Sequence, residues 1–130
     1  MKPEELIALA KKARENSYSP YSGQKVGAAL LATDGSYFLG ANIENAAYSP
    51  TICAERSAFA AAVSSGKKSF SAIAICGGEK AFPPCGVCRQ IMAEFCSPDF
   101  KIYVAGEKVA EYTLGELLPK AFSSNCFMGE

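Results

Sequence analysis

The segment Phe70-Ser71-Ala72-Ile73-Ala74-Ile75-Cys76 is apolar at every position except Ser71. A strand without polar alternation is buried on both faces, so it needs a layer of structure above and below it. The rest of the chain supplies those layers. Residues 3 to 16 read as an amphipathic helix, with Pro3 in the first turn and Leu6, Leu9, Ala10 and Ala13 on one face. The run Tyr18-Ser19-Pro20-Tyr21-Ser22-Gly23 breaks it. Val26 to Ala32 and Tyr37 to Ile43 form two strands joined across Asp34-Gly35, a strong hairpin signal. A loop through Asn45 and Pro50 leads to a helix from Ala54 to Ser64, stopped by Ser65-Gly66. After the apolar strand, a loop over 77 to 84 precedes a helix from Gly86 to Phe95. Ile102 to Ala105 and Val109 to Tyr112 read as strands, and Leu114 to Leu118 as a short helix before Pro119. A hairpin followed by alternating helix and strand predicts a three-layer α/β/α sandwich on a mixed sheet. No repeat, low-complexity tract or linker divides it, so residues 1–130 are expected to form a single domain.

Thirteen Lys and Arg offset thirteen Asp and Glu, which leaves no net field for DNA, RNA or an anionic membrane. The longest apolar run, Ala58 to Val63, is far too short to span a bilayer. Met1-Lys2-Pro3-Glu4-Glu5 lacks the apolar core of a secretory signal. Six cysteines in 130 residues fall below the density of a disulfide scaffold, so a cytoplasmic protein with thiols free for metal or catalysis is expected. There is no histidine. That excludes a Ser-His-Asp triad, a Cys-His dyad and any His-ligated metal, and leaves proton transfer near neutral pH to a carboxylate, lysine, thiolate or metal-activated water.

Three cysteines stand out by position. Cys53 immediately precedes one predicted helix, while Cys85 and Cys88 open the next in Pro84-Cys85-Gly86-Val87-Cys88. A Cys-x-x-Cys pair alone fits a redox couple or a zinc knuckle. The third cysteine at another helix start favours a metal, because the positive end of a helix stabilises the thiolate that binds zinc. Cys96 lies eight residues past Cys88, roughly 12 Å along a helix and out of reach. Cys76 belongs to the buried strand and Cys126 to the tail, so three thiolates with one open position is the expected count. Glu55 sits two residues after Cys53, in the same first turn. It can lie near the ion without ligating it and carry a proton for the chemistry there. Arg56 and Arg89 flank the ligand segments and are expected to offset the thiolate charge by bonding sulfur.

Cys53-Ala54-Glu55-Arg56, followed by Pro84-Cys85-Gly86-Val87-Cys88-Arg89-Gln90, resembles the zinc-dependent cytidine deaminases. The blocks Ser19-Pro20-Tyr21-Ser22, Val26-Gly27-Ala28-Ala29-Leu30, Gly40 to Ala46 and Leu117-Leu118-Pro119 with Phe122 extend the likeness over nearly the whole chain. The resemblance implies an α/β/α deaminase sandwich with a five-stranded mixed sheet, in the family's small homotetrameric form with shared active sites. It implies hydrolytic deamination of cytidine and 2′-deoxycytidine to uridine and 2′-deoxyuridine, with release of ammonia, as in pyrimidine salvage. Zinc would be held by Cys53, Cys85 and Cys88, and Glu55 would shuttle protons between water, ring nitrogen N3 and the leaving amine. Asn42 and Glu44 would hold the ribose hydroxyls, the Ala54 backbone would contact the base, and Phe122 would reach a neighbouring subunit's pocket. The family's Tyr-Ser-x-Phe pattern, whose phenyl ring lines the pyrimidine pocket, departs here at Gln24. That substitution implies a weakened aromatic wall and more tolerance for groups on N4.

The residues leave two other readings open. One is a deaminase of another aminopyrimidine nucleoside, such as an N4-substituted cytidine or blasticidin S; Asn42 and Glu44 favour a ribose-bearing substrate. The other is a non-catalytic zinc-stapled binding module, which needs a fourth protein ligand and leaves Glu55 idle.

Overall fold

The structure, a computed structural model, describes residues 1–128. Helix α1 (Pro3–Ala13) ends in a 3-10 turn over Arg14–Asn16. Then come strands β1 (Gly27–Ala32) and β2 (Tyr37–Ala41), helix α2 (Ala54–Ser64), strand β3 (Phe70–Cys76) and helix α3 (Gly86–Phe95). Strands β4 (Lys101–Ala105) and β5 (Val109–Thr113) and the short helices α4 (Leu114–Leu117) and α5 (Asn125–Met128) complete the order. The five strands form one sheet in the order β2-β1-β3-β4-β5. β3 and β4 pair in parallel through the α3 crossover, and the other neighbours pair antiparallel. This is the mixed sheet expected from the alternation.

Side-chain alternation sorts the two faces. Ala28, Leu30, Ile73, Ile75, Ile102 and Val104 point into one core, against Ala58 and Phe59 of α2 and Met92 of α3. Ala29, Ala72, Ala74 and Ala105 point into the other, against Leu6, Ile7 and Ala10 of α1. The small residues on the α1 side let that helix lie close to the sheet. Gly27 goes further, since a β-carbon there would stand 2.2 Å from the Ala10 carbonyl oxygen.

Gly40 does the same for α2 on the opposite face. A β-carbon at this position would meet the Ala54 carbonyl oxygen and the Ala58 amide nitrogen, each at 2.4 Å. Backbone cannot yield as a flexible side chain can, so Gly40→Ala must displace the first turn of α2. A stability loss of about 1–3 kcal/mol is expected in urea unfolding. A wild-type midpoint would show that the helix seat is softer than these distances imply.

The first strands are shorter than the sequence pattern suggests. β2 stops at Ala41, and Ile43 leaves the ladder to bridge Tyr18 and Ile52. The side chain of Asn42 causes this departure by bonding backbone instead of following the strand. Its Oδ1 accepts from the Val26 amide at 3.0 Å, and its Nδ2 donates to the Gln24 carbonyl at 2.7 Å. Between β1 and β2, Gly35 takes the left-handed backbone (φ 92°) that the hairpin loop requires.

Candidate active site and metal centre

Cys53 and Cys85 occupy equivalent positions as the extended N-cap residues of α2 and α3. Neither helix start has a side-chain capping bond, so the positive ends of both are directed at the thiols. Cys88 follows in the first turn of α3 and is buried. The Cys53 and Cys85 sulfurs are 3.9 Å apart, and those of Cys85 and Cys88 are 3.5 Å apart. Sulfurs bound to one tetrahedral ion at about 2.3 Å stand about 3.8 Å from each other, so this spacing fits zinc. It is far too long for a disulfide.

The electrostatics agree. The Cys53 thiol is lowered to about 5, first by a hydrogen bond from Cys88 and then by Arg56, whose Nη2 lies 3.7 Å from its sulfur. Cys88 is pushed the opposite way because its proton is shared with Cys53 and because it is buried. Three crowded thiols cannot all ionise without a cation between them. Arg56 Nε is buried with no acceptor, which leaves a donor for a fully ionised sulfur cluster. Cys53, Cys85 and Cys88 are the one cluster of potential metal ligands among the described residues, and Cys76, Cys96 and Cys126 lie outside it. Burial alone raises the Cys96 thiol to about 12, as suits an inert, partly buried residue packed against the core.

Glu55 projects into the same place from the first turn of α2 and is 5% exposed. Burial pushes its carboxyl up to about 7, and the charge on Cys53 adds to the shift. A carboxyl at that value can both hold and release a proton near neutral pH. Glu55, Cys53, Cys85 and Ala54 line a cavity of about 220 Å³, closed by Val26, Asn42, Thr51, Ile52, Phe82 and Pro83. That volume is below the roughly 300–1,000 Å³ of pockets for drug-sized ligands and suits a single ring. Thr51 also lines an adjoining cavity of about 400 Å³, formed with Tyr21, Ser22, Glu44, Asn45 and Tyr48. Glu44 accepts from the Tyr21 amide at 2.9 Å and the Ser22 amide at 3.1 Å, while its other oxygen takes the Ser22 hydroxyl. These bonds, the hydroxyl first, hold its carboxyl below the usual carboxylate value.

Residues 1–104 match the cytidine and deoxycytidylate deaminase zinc-binding region. The chain belongs to that deaminase family. It is 53% identical over 126 residues to a cytidine deaminase of Sporosarcina psychrophila, spanning 95% of this chain and 93% of that one. A cytidine deaminase of Halalkalibacterium halodurans is 50% identical over 122 residues, with 92% of each chain covered. Among solved structures, the cytidine deaminase of Burkholderia pseudomallei superposes with a TM-score of 0.89 at 43% identity, covering 94% of this chain and 100% of that one.

Within this deaminase, two expected contacts, those of Arg89 and Gln24, fall elsewhere. Arg89 bonds no sulfur. Its Nε donates to the Pro84 carbonyl at 2.7 Å and its Nη1 to the Leu117 carbonyl at 2.8 Å. Two carbonyls engage the planar fork directly, so Arg89 ties the start of α3 to α4 and leaves the sulfurs to Arg56. Gln24 does not line the thiol cavity, and its part there is a backbone carbonyl that orients Asn42. Phe122 is 62% exposed, stacks on Phe127 with ring centroids 6.2 Å apart, and stays outside its own chain's cavity. The sequence reading missed Phe82 and Thr51 as cavity walls. The Pro83-Pro84 pair that fixes the backbone after Phe82 was the one available signal.

Proposed function

We propose that this chain hydrolytically deaminates cytidine and 2′-deoxycytidine to uridine and 2′-deoxyuridine, releasing ammonia. The observation that carries this reading is the buried Glu55 carboxyl beside three clustered thiols, in a ring-sized cavity that adjoins a second one holding Glu44. Cys53, Cys85 and Cys88 would hold zinc, which when bound supplies a Lewis acid that makes water acidic near neutral pH. Glu55 takes a proton from the attacking water and places it on ring N3 as the new C4–O bond forms. It then takes the proton of the new C4 hydroxyl and passes it to the exocyclic nitrogen, so that the C4–N4 bond breaks, ammonia leaves and a carbonyl remains at C4. Arg56 balances the thiolate charge at Cys53. The Ala54 backbone faces the base, and Asn42 keeps one Nδ2 hydrogen free for a sugar hydroxyl after donating the other to Gln24. The ionised Glu44 accepts from hydroxyls in the adjoining cavity.

A non-catalytic zinc module lacks support, because no fourth protein ligand joins the cluster among the described residues. A polynucleotide substrate has none either, given the formal net charge of zero. No helix among the described residues is long and apolar enough to cross a membrane. A cytoplasmic location and a homotetramer with shared sites complete the proposal. The exposed rings of Tyr48 and Phe122 and the open Glu44 cavity favour cover by a neighbouring subunit.

The test is a panel of cytidine, 2′-deoxycytidine, free cytosine and N4-methylcytidine incubated with zinc-loaded protein, followed by ultraviolet absorbance and ammonia release. One ammonia per nucleoside from the first two substrates is expected. Turnover of free cytosine alone would overturn the nucleoside assignment. Sedimentation on the same preparation should give four chains, and an active monomer would refute shared sites.

A further inference from the structure

We propose that Phe82 is the stacking wall of the base pocket and sets its preference for a flat ring, an inference that rests on the deaminase reading above. Phe82 carries the one aromatic ring in the lining of the thiol cavity, where the remaining walls are aliphatic, polar or backbone. It is half-buried, so part of its surface packs on protein and part borders the cavity.

Its position is set by backbone on two sides. A β-carbon added at Gly77 would stand 2.0 Å from Phe82 Cδ2 and 2.4 Å from Cε2, so the ring edge occupies the space that the glycine leaves open. Gly77 itself directly follows β3 and is bridged to Lys80, which anchors that seat to the sheet. On the other side, Pro83 restricts Phe82 to extended backbone, and Pro84 then leads into Cys85. The chain that positions the ring is therefore continuous with the chain that positions a thiol.

An aromatic side chain held in this way needs little further ordering on binding, which is the condition under which stacking adds affinity. A planar, π-rich pyrimidine gains from the ring, whereas a puckered, saturated analogue of the same size gains much less. Gln24, outside the lining, offers no competing wall. Val26 and Ile52 supply apolar contact but no π surface.

The experiment compares wild type with Phe82→Leu, which keeps apolar bulk, and with Phe82→Ala. Zinc content and the thermal midpoint are recorded for each. Steady-state kinetics on cytidine and calorimetric binding of uridine and of 5,6-dihydrouridine, whose base is not planar, form the readout. For Phe82→Leu, KM and the uridine Kd should rise together by roughly 3- to 10-fold, with kcat changed less. The larger loss is expected for Phe82→Ala. The wild-type preference for uridine over dihydrouridine should shrink in both variants, which loss of fold alone would not produce. An active wild type whose variants keep KM, both Kd values and that preference would overturn the assignment of Phe82 and leave the deaminase reading intact. A fall in kcat and zinc content with unchanged Kd values would also overturn it, by making Phe82 a support for the thiols. A zinc-loaded wild type that does not deaminate cytidine would remove the functional reading, and the role of Phe82 with it.

Discussion

Glu55→Gln is expected to retain one zinc per chain and to lose turnover of cytidine by roughly 10³-fold or more. Positioned acid–base groups contribute about 10²- to 10⁴-fold to a single proton transfer, and here one carboxyl serves successive transfers. The amide keeps nearly the same shape and cannot exchange the proton. The zinc should stay, because Glu55 lies outside the three-thiol cluster. The same variant has a second signature, in stability. Burial raises Glu55 from 4.5 to about 7, so the folded metal-free protein binds this proton more tightly than the unfolded chain does. Its stabilising contribution is complete below about pH 4.5 and is lost as the pH rises through about 7. Chelated Glu55→Gln should therefore gain on chelated wild type across that window, by on the order of 3 kcal/mol at most, and show no such gain near pH 4. Urea unfolding at the two ends of the range measures it. A variant that keeps most of the wild-type rate would make Glu55 structural, whatever its titration.

Replacing Cys88 by Ala should abolish metal retention and activity together. Cys88 is 1% exposed and within 3.5 Å of the Cys85 sulfur, so no outside group can readily take its place. Loss of groups that only support a ligand typically costs 10- to 100-fold in metal affinity, and loss of a ligand should cost more. Because metal binding favours the folded state, the thermal midpoint should fall too, by on the order of 10 °C at saturating zinc. Cys126→Ser is the matched control, exposed and outside the cluster, and should keep both zinc and rate. Elemental analysis after gel filtration decides the matter. A Cys88→Ala protein with a full zinc complement would refute the ligand set.

The segments that bracket the site were legible because their signals are local. α2, β3 and α3 span the expected residues, Ala54–Ser64, Phe70–Cys76 and Gly86–Phe95. Each helix starts where a cysteine stands before a helical pattern, and Gly66 (φ 94°) supplies the break after α2. Boundaries slipped where side chains compete with the ladder or the helix tightens. The expected helix over 3 to 16 becomes α1 plus a 3-10 turn, and the β2 pattern to Ile43 is cut at Ala41 by the bonds of Asn42. The four-residue α5 had no periodic signal long enough to read.

The candidate chemistry is legible in short stretches of the chain. The absence of histidine, three cysteines at two helix starts and a carboxylate in the first turn of the first of them are properties of neighbouring residues, and spacing carries them. The layer arrangement followed from the same kind of information, since a uniformly apolar strand must be covered on both sides. Which side chains line the thiol cavity is settled only by the packing of distant segments. Val26, Thr51 and Phe82 come from three separate segments and meet only after the sheet has formed. Arg89 lies beside a ligand cysteine in the chain, yet its guanidinium is claimed by the carbonyls of Pro84 and Leu117. Gln24 and Phe82 are both loop residues, without a helical or strand period to set their direction. One is represented at the site by its backbone and the other by its ring, because Asn42 bonds the first and Gly77 makes room for the second.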